Sequence, residues 1–506
     1  MSLMGIDIGT NSCKAVVFSV EGKPLASASH SYKTYSPKPD YVEIDANLFW
    51  DAVIKSVREV ASKVTADPVS ALAFCSQGET MIAVDKYANP IRPAFMNADN
   101  RGVKEIKELV SQISREDLYQ ITGEPVHTMF GISEIMWFKK NEPDLYAQTY
   151  KIVSCEDFMM MKLGFDPLCN YSNCCRTFML DIRKHDWSDE ILSVAGICWE
   201  KLGTPISSGQ FIGYLSKSSA ELLGLNQNVA VVSGGHDCPL AAFGSGAISS
   251  NVAADQAGTY EGVTMAASTP NTSKEALAVN INTYCHVLKD KYISLVLFPA
   301  GFSTAWYLSE FAAADYIEAE KERISVYKYL EQKVQELGTA PTGIFFMPHF
   351  VGACNPYNDV RSTGTIIGLT SYASRHKIYK SIYEGIAYEF KAVTALLNEY
   401  VGNFEDVYIN GGGSKHNFSL ALRAALSGKI MHRMQCDEAG CLGAAMLAGM
   451  ATGVYKNAED AVKQAVHVID KVEPNPLLAK KYAASYNLYQ NIYPSLEKIR
   501  ELRSTI

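Results

Sequence analysis

Two Gly-Thr turns, each flanked by apolar strands and each opening one half of the chain, constrain the fold more than any other feature. "MGIDIGTNSCKAVVF" begins at Met4 and carries Gly9-Thr10, while "NVAADQAGTYEGVTMAAST" carries Gly258-Thr259. One such hairpin is commonplace, but its recurrence at half-chain spacing is the mark of two related domains facing a shared cleft. A chain of 506 residues is also too long for one hydrophobic core. The small-residue passage Gly244-Ser245-Gly246 reads as a flexible boundary, which divides the chain into domains 4–246 and 247–506. Met1-Ser2-Leu3, ahead of a second methionine, reads as an appended leader outside the fold.

Within each half the text alternates strands and helices. "DANLFWDAVIKSVREVASKV" predicts a helix with Leu48, Phe49, Ala52, Val53, Val57, Val60 and Val64 on its buried face and Asp45 as N-cap. "VSALAFC" (69–75) is a buried-type strand that delivers "SQGET" at its end. Residues 114–223 are mostly of helical pattern and include a polar insert around "CNYSNCCRTFMLDIRKHDWSDEIL". "NVAVVSGG" is a strand leading into "HDCPLAAFG". Farther on, a stripe of Ile378, Ile382, Ile386, Phe390, Val393 and Leu397 predicts a long helix. The strand "DVYIN", the turn "GGGSK", a further helix and the small-residue helix "EAGCLGAAMLAGMA" follow it. This is an α/β architecture, whose ligands sit beyond the carboxyl ends of the strands.

Composition narrows the functional classes. A net charge of −8 without a Lys/Arg run argues against nucleic-acid or anionic-membrane surfaces. No apolar run reaches the ~18 residues of a membrane span and no signal-peptide pattern is present, so a cytoplasmic location is expected. The twelve cysteines form no Cys-x-x-Cys and no zinc spacing, and read as free thiols used as small apolar residues. A homodimer is the base-rate expectation.

Four groups of residues can carry chemistry. Asp7 is unusual in an apolar strand, because a carboxylate out of water needs partners. The Gly9-Thr10-Asn11-Ser12 tip offers backbone N–H groups and hydroxyls to phosphate oxygens, with Lys14 to neutralise charge and Asp7 to face Mg²⁺. It is no Walker loop, and a polar hairpin tip with a solvated Asp is the simpler reading of these residues alone. Gly411-Gly412-Gly413 is either a nucleotide-type turn or a tight strand-to-helix connection. Asp237 is either a helix N-cap or a general base over the cleft, and His236 beside it reads as a loop histidine. Gln77, Glu79, Asp99 and Arg101 could hydrogen-bond the hydroxyls of a polyol, or serve as ordinary turn and ion-pair residues.

The order of these motifs resembles the FGGY family of carbohydrate kinases: Asp-x-Gly-Thr-x-Ser-x-Lys, then Ser-x-Gln, Asp-x-Arg, Gly-Gly-x-Asp, Gly-Thr and Gly-Gly-Gly-Ser-Lys. "NYSNCCRT", "NPYNDVRSTGTIIGLT", "YEGIAYEF" and "EAGCLGAAMLAG" extend the resemblance over essentially the whole chain. It implies two ribonuclease-H-like domains of the actin/hexokinase-like ATPase fold with ATP bound between them. It also implies Asp7 as the Mg²⁺-facing carboxylate, Lys14 near the γ-phosphate, Gly258 and Thr259 as the second phosphate hairpin, and Gly411, Gly412 and Gly413 on the adenosine side. Asp237 matches the catalytic base. The implied cofactors are ATP and Mg²⁺, and the implied partner is a small sugar or polyol. Glycerol kinases carry Gln-Arg-Glu-Thr where this chain has Gln77-Gly78-Glu79-Thr80, and xylulokinases carry Gln-Met-His. The acceptor is therefore expected to be a five- or six-carbon ketose, sugar acid or polyol, with Gly78 leaving room for something larger than glycerol. The competing classes are a conformational ATPase of the actin or chaperone kind and a catalytically idle sugar-binding relative. The first has no use for the Gln77, Glu79, Asp99 and Arg101 cluster or for Asp237, and an intact Asp7, Lys14, Asp237 and Thr259 count against the second.

Overall fold

The computed structural model describes residues 1–503. In the first half, β1 (Ser2–Ile8), β2 (Ser12–Ser19) and β3 (Pro24–Ser31) run antiparallel, followed by α1 (Asn47–Lys63) and β4 (Val69–Ser76). A largely helical stretch contains α2 (Gly131–Asn141) and α3 (Tyr171–Cys175). Then come β5 (Phe211–Tyr214), β6 (Ala230–His236) and α4 (Asp237–Gly244). The sheet order is β5-β6-β4-β1-β2-β3, with β6, β4 and β1 parallel.

The second half repeats this plan. Its strands are β7 (Val252–Ala257), β8 (Tyr260–Ala267), β9 (Asn282–Cys285) and β10 (Tyr292–Pro299). After α5 (Gly301–Glu310), α6 (Val326–Glu336) and α7 (Arg375–Tyr400) come β11 (Asp406–Asn410), α8 (Asn417–Ser427), β12 (Ile430–Met434), α9 (Ala439–Ala451) and β13 (Val468–Val472). The order is β9-β10-β8-β7-β11-β12-β13, and β7, β11 and β12 are parallel. Each half thus has an antiparallel hairpin feeding a parallel core, as the paired Gly-Thr turns require.

The halves are tied by two helices. α4, after the last parallel strand of the first sheet, meets α9, after the corresponding strand of the second. A Cβ on Gly443 would lie 2.1 Å from the Leu240 carbonyl oxygen, and one on Gly244 would lie 2.0 Å from that of Ala439. Backbones approach this closely only where side chains are absent. α9 also covers the first sheet, its Leu442, Ala445 and Leu447 packing in one apolar cluster with Leu3, Ala71, Ala73 and Val232.

Several local expectations change. β1 starts at Ser2, not Met4: Ser2 and Leu3 are buried, and Ser2 Oγ donates to the Asp67 carbonyl at 2.7 Å. Leu48 is exposed, because α1 turns it off the face that buries Phe49, Ala52, Val53, Val57 and Val60. Ala46, not Asp45, is the N-cap of α1, and Asp45 Oδ1 accepts from the Asn47 N–H one step outside. The passage 244–246 is packed rather than flexible. Ser245 is fully buried, donates to the Ala241 carbonyl and accepts from Asn410 Nδ2. α3, inside the expected polar insert, is buried too: Asn170 Oδ1 caps it by accepting from the Asn173 N–H at 3.0 Å.

Burial of Glu384 on α7 makes one stability prediction. Its carboxyl accepts from Thr342 Oγ1 at 2.6 Å and Tyr482 Oη at 2.9 Å, and desolvation raises its pKa from 4.5 to about 7. A raised carboxyl holds its proton more tightly when folded. Its contribution is complete below 4.5 and lost as the pH rises through about 7. Glu384→Gln should therefore lose less Tm than the parent between about pH 5 and pH 8 in thermal melts; equal losses would rule the residue out as a source.

Candidate active site

Strand register assembles the first part of the site. Asp7 pairs with Cys75 across β1 and β4, and Cys75 with Gly235 across β4 and β6; Ile8, Ser76 and His236 form the next row. Gly9, Gln77 and Asp237 therefore leave the sheet together at the carboxyl ends of its three parallel strands. The Gly9-Thr10-Asn11-Ser12 turn is closed by the Gly9 N–H donating to the Ser12 carbonyl at 3.0 Å. Tyr32 Oη donates to the Gly9 carbonyl, and Gln77 braces the same turn through Gly9 O and Thr10 Oγ1.

Burial raises the pKa of Asp7 to about 7, and the nearby Asp237 carboxylate pushes it the same way. Two carboxyl groups crowded at a strand end form an oxygen donor set suited to a hard divalent cation, which would relieve their repulsion. Asp237 is the first residue of α4, with His236 at the N-cap position and no side-chain cap bond, so the N-cap reading of Asp237 does not hold. His236 is not a loop histidine either. It ends β6, is buried, and lies with Nδ1 3.1 Å from Tyr284 Oη and Nε2 3.0 Å from Asp237 Oδ1. Burial lowers its pKa below the ordinary value.

Lys14 links the halves. Its Nζ lies 2.6 Å from Glu438 Oε1 at the start of α9. Burial works against the Lys14 charge, but Glu438 outweighs it and raises the pKa above that of a free lysine.

The second hairpin exposes Gly258 and Thr259 at the rim of a 760 Å³ cleft, which Gly412, Gly413, Tyr327 and Lys415 also line. This volume lies within the range of small-molecule and nucleotide pockets. Gly411 has φ +85° and would place a Cβ 2.8 Å from the Ala257 carbonyl, so the turn after β11 requires glycine beside the second hairpin. Behind it, Arg423 of α8 is buried between Asp255 and Glu261, fixing β7 and β8 against the helix. In the helical wall of the cleft, Tyr383 and Ile386 belong to the helix and the "YEGIAYEF" text read from the sequence, whereas the residues from α5 and α6 lie in no motif and were not legible there.

The four polar residues of the early loops divide into two groups. Asp99 and Arg101 form a bidentate pair at 2.7–3.0 Å, with Arg101 also bound to Glu43 and stacked on Tyr41. Glu79 instead meets Arg176, at 2.6 Å, and Arg176 also pairs with the buried Glu124. Burial works against the Glu79 charge, but Arg176 holds its pKa below the ordinary value. The room expected at Gly78 is taken: a Cβ there would lie 2.3 Å from Arg176 Cγ and 2.8 Å from His236 Cδ2. An arginine from α3's C-cap position thus fills the space over Gly78. The "NYSNCCRT" text contained it, but nothing in sequence spacing connects Arg176 or Glu124 with Gly78.

Two parallel-core sheets, each presenting a Gly-Thr hairpin toward the site and joined by crossed helices, define a two-domain ATPase fold of the actin/hexokinase-like kind. The chain belongs to the FGGY family of carbohydrate kinases: the family's N-terminal domain matches residues 2–244 and its C-terminal domain residues 256–452. It is accordingly a phosphotransferase with an alcohol group as acceptor. Among curated relatives, a xylulose kinase of Staphylococcus xylosus is 27% identical over 97% of this chain and 99% of its own length. A gluconokinase of Bacillus subtilis is 25% identical, over 98% and 96%. A ligand-bound xylulose kinase structure from Lactobacillus acidophilus superposes with a TM-score of 0.88 at 22% identity, over 98% of both chains. These relationships disfavour the conformational-ATPase and idle-relative readings. Among the described residues, no helix is long and apolar enough to cross a membrane.

Proposed function

We propose that the protein transfers the γ-phosphoryl group of ATP to a hydroxyl of a five- or six-carbon ketose, sugar acid or polyol, with Asp237 as general base. The observation that carries this reading is the meeting of Asp7, Asp237 and the Gly9-Thr10 turn at one sheet edge. Residues 4–246 and 247–506 are taken as the sugar-side and nucleotide-side domains, residues 504–506 lying outside the described residues. Mg·ATP, when bound, supplies the phosphoryl group and a cation that offsets charge on its oxygens.

The chain's own residues do the rest. Asp7 holds the Mg²⁺. Gly9, Thr10, Asn11 and Ser12, with Gly258 and Thr259, offer N–H and hydroxyl donors to phosphate oxygens, and Lys14 stabilises charge on the transferred group. Gly411, Gly412 and Gly413 accept the adenosine side. Asp237 takes the proton of the attacking hydroxyl, with His236 Nε2 3.0 Å from its Oδ1. Gln77, Glu79, Asp99 and Arg101 belong to the acceptor side, Asp99 and Arg101 as a preformed pair. Approach of the two domains would exclude water as a competing acceptor. The reaction takes place in the cytoplasm on a small molecule.

The test is coupled ADP release with Mg·ATP against ketoses, aldonates and polyols, glycerol included. One acceptor well above the water background is expected; glycerol as the best would overturn the acceptor size proposed. Glu79→Ala should raise the acceptor KM by about tenfold or more while changing the ATP KM by less than about twofold. Equal effects on both would move Glu79 out of the acceptor site.

A further inference from the structure

Around Glu79 the structure has a surplus of buried carboxyl groups. Glu79, Arg176 and Glu124 have side chains 6%, 5% and 0% exposed. The one guanidinium serves both carboxylates, with Nε 2.6 Å from Glu79 Oε1 and Nη1 on Glu124. Glu124 Oε2 is buried without a hydrogen-bond partner, and so are both carboxyl oxygens of Glu134 on α2. Glu134 faces Asp99 and Glu79 as well as Arg101 and Arg92. Among the described residues, the cations facing this group are already held. Arg101 is bound by Asp99 and Glu43, and Arg92 by Glu43 and Glu142. His127 and His236 are kept toward the neutral form by burial. Asp237 lies beside His236, and Asp7 beside Asp237.

Resting on the kinase reading above, we propose that the acceptor is an uncharged polyhydroxy compound, a ketose or polyol, that Glu124 and Arg176 select it, and that the site excludes aldonates. Glu124 Oε2 and the Glu134 carboxyl are sealed from solvent, so they act on an acceptor through their charge and their hold on Arg176 rather than by touching it. A neutral polyol is indifferent to that charge, whereas a sugar carboxylate only accepts and would need a free cation. Bringing one in would place a further anion beside a guanidinium already shared by two carboxylates. Burial and Glu79 push the Glu124 pKa up to about 7 against the pull of Arg176, so a second negative charge is already costly there. Arg176 fills the space over Gly78, which His236 also borders beside the proposed base, so it acts as a specificity-determining residue for the acceptor.

The test compares kcat/KM, by ADP release, for xylulose, ribulose, fructose, xylitol and glucitol against xylonate and gluconate, with calorimetric binding of the same compounds in the presence of ADP. The best neutral acceptor is expected to exceed every aldonate by about 100-fold or more. Glu124→Gln, isosteric and one charge lighter, should narrow that ratio at least about tenfold, with the ATP KM within about twofold of the parent. A purely structural Glu124 would lower activity on all acceptors and leave the ratio unmoved, which would overturn its selecting role. An aldonate as the best acceptor overturns the inference while upholding the kinase reading. If no compound stimulates ADP release, the kinase reading fails, and calorimetry decides the inference by itself: tighter binding of a neutral compound supports it, and tighter binding of an aldonate, or none at all, overturns it.

Discussion

Asp237→Asn is expected to lower kcat by about 1,000-fold, while the Kd for ATP stays within about twofold of the parent. The substitution preserves size and leaves the N-terminus of α4 in place, yet removes the only property the proposal needs, a carboxylate able to take a proton. Positioned general bases contribute about 10²–10⁴ in rate, and in the proposed mechanism the remaining catalysis would come from hairpin N–H groups, Lys14 and a bound cation. Nucleotide binding should be spared because the 760 Å³ cleft proposed to take it is lined by residues of the second half. Coupled ADP release for turnover and calorimetry for ATP separate the two effects. Turnover within a few-fold of the parent would exclude Asp237 as the base. Loss of both together would make it part of the nucleotide and metal site through its neighbour Asp7.

Gly443→Val should be strongly destabilising although it changes none of the proposed site residues. Its Cβ would lie 2.1 Å from the Leu240 carbonyl oxygen and 3.2 Å from the Gly244 nitrogen, both backbone atoms that no rotamer change can move. Overpacking of this kind costs about 3 kcal/mol or more when backbones must separate. The separation would fall at the crossing of α4 and α9, where Glu438 reaches Lys14. A Tm lowered by about 5 °C or more is expected, with ATP binding weakened in the fraction that folds. A Tm within a degree of the parent would mean that the helices do not cross as tightly as described here.

What was legible in the sequence was local and periodic. The Gly-Thr hairpins, the alternating elements and the long stripe of α7 follow from patterns of two and 3.6 residues, and all form. Asp7 could be singled out because a carboxylate in an apolar strand contradicts its surroundings, and the register then puts it beside Asp237. The failures have a common cause: the partner lay far away in sequence. Gly78 reads as empty space only until Arg176 closes over it, and His236 as a loop residue only until Tyr284 of the other half receives it. Gly244-Ser245-Gly246 has the composition of a hinge, but Gly244 packs against α9, Ser245 is bonded to Ala241 and Asn410, and Gly246 lies against Tyr408, Val462 and Val466. Leu48 departs from its expected face because a seven-residue stripe is wider than the core beneath α1.

The position of α9 has a consequence for how the chain is made. β1, β4 and β6 are all synthesised by residue 236, but one face of their sheet has only Leu240 and Phe243 of α4 against it until α9 (Ala439–Ala451) follows. At about 5–20 residues per second, that delay of roughly two hundred residues lasts on the order of 10–40 s on the ribosome. During that time Leu3, Ala71, Ala73 and Val232 lack the cover of Leu442, Ala445 and Leu447. The nascent first half is therefore the form of this protein most in need of a holding chaperone. A gene fragment ending near residue 246 should yield an aggregating product rather than an isolated sugar-side domain.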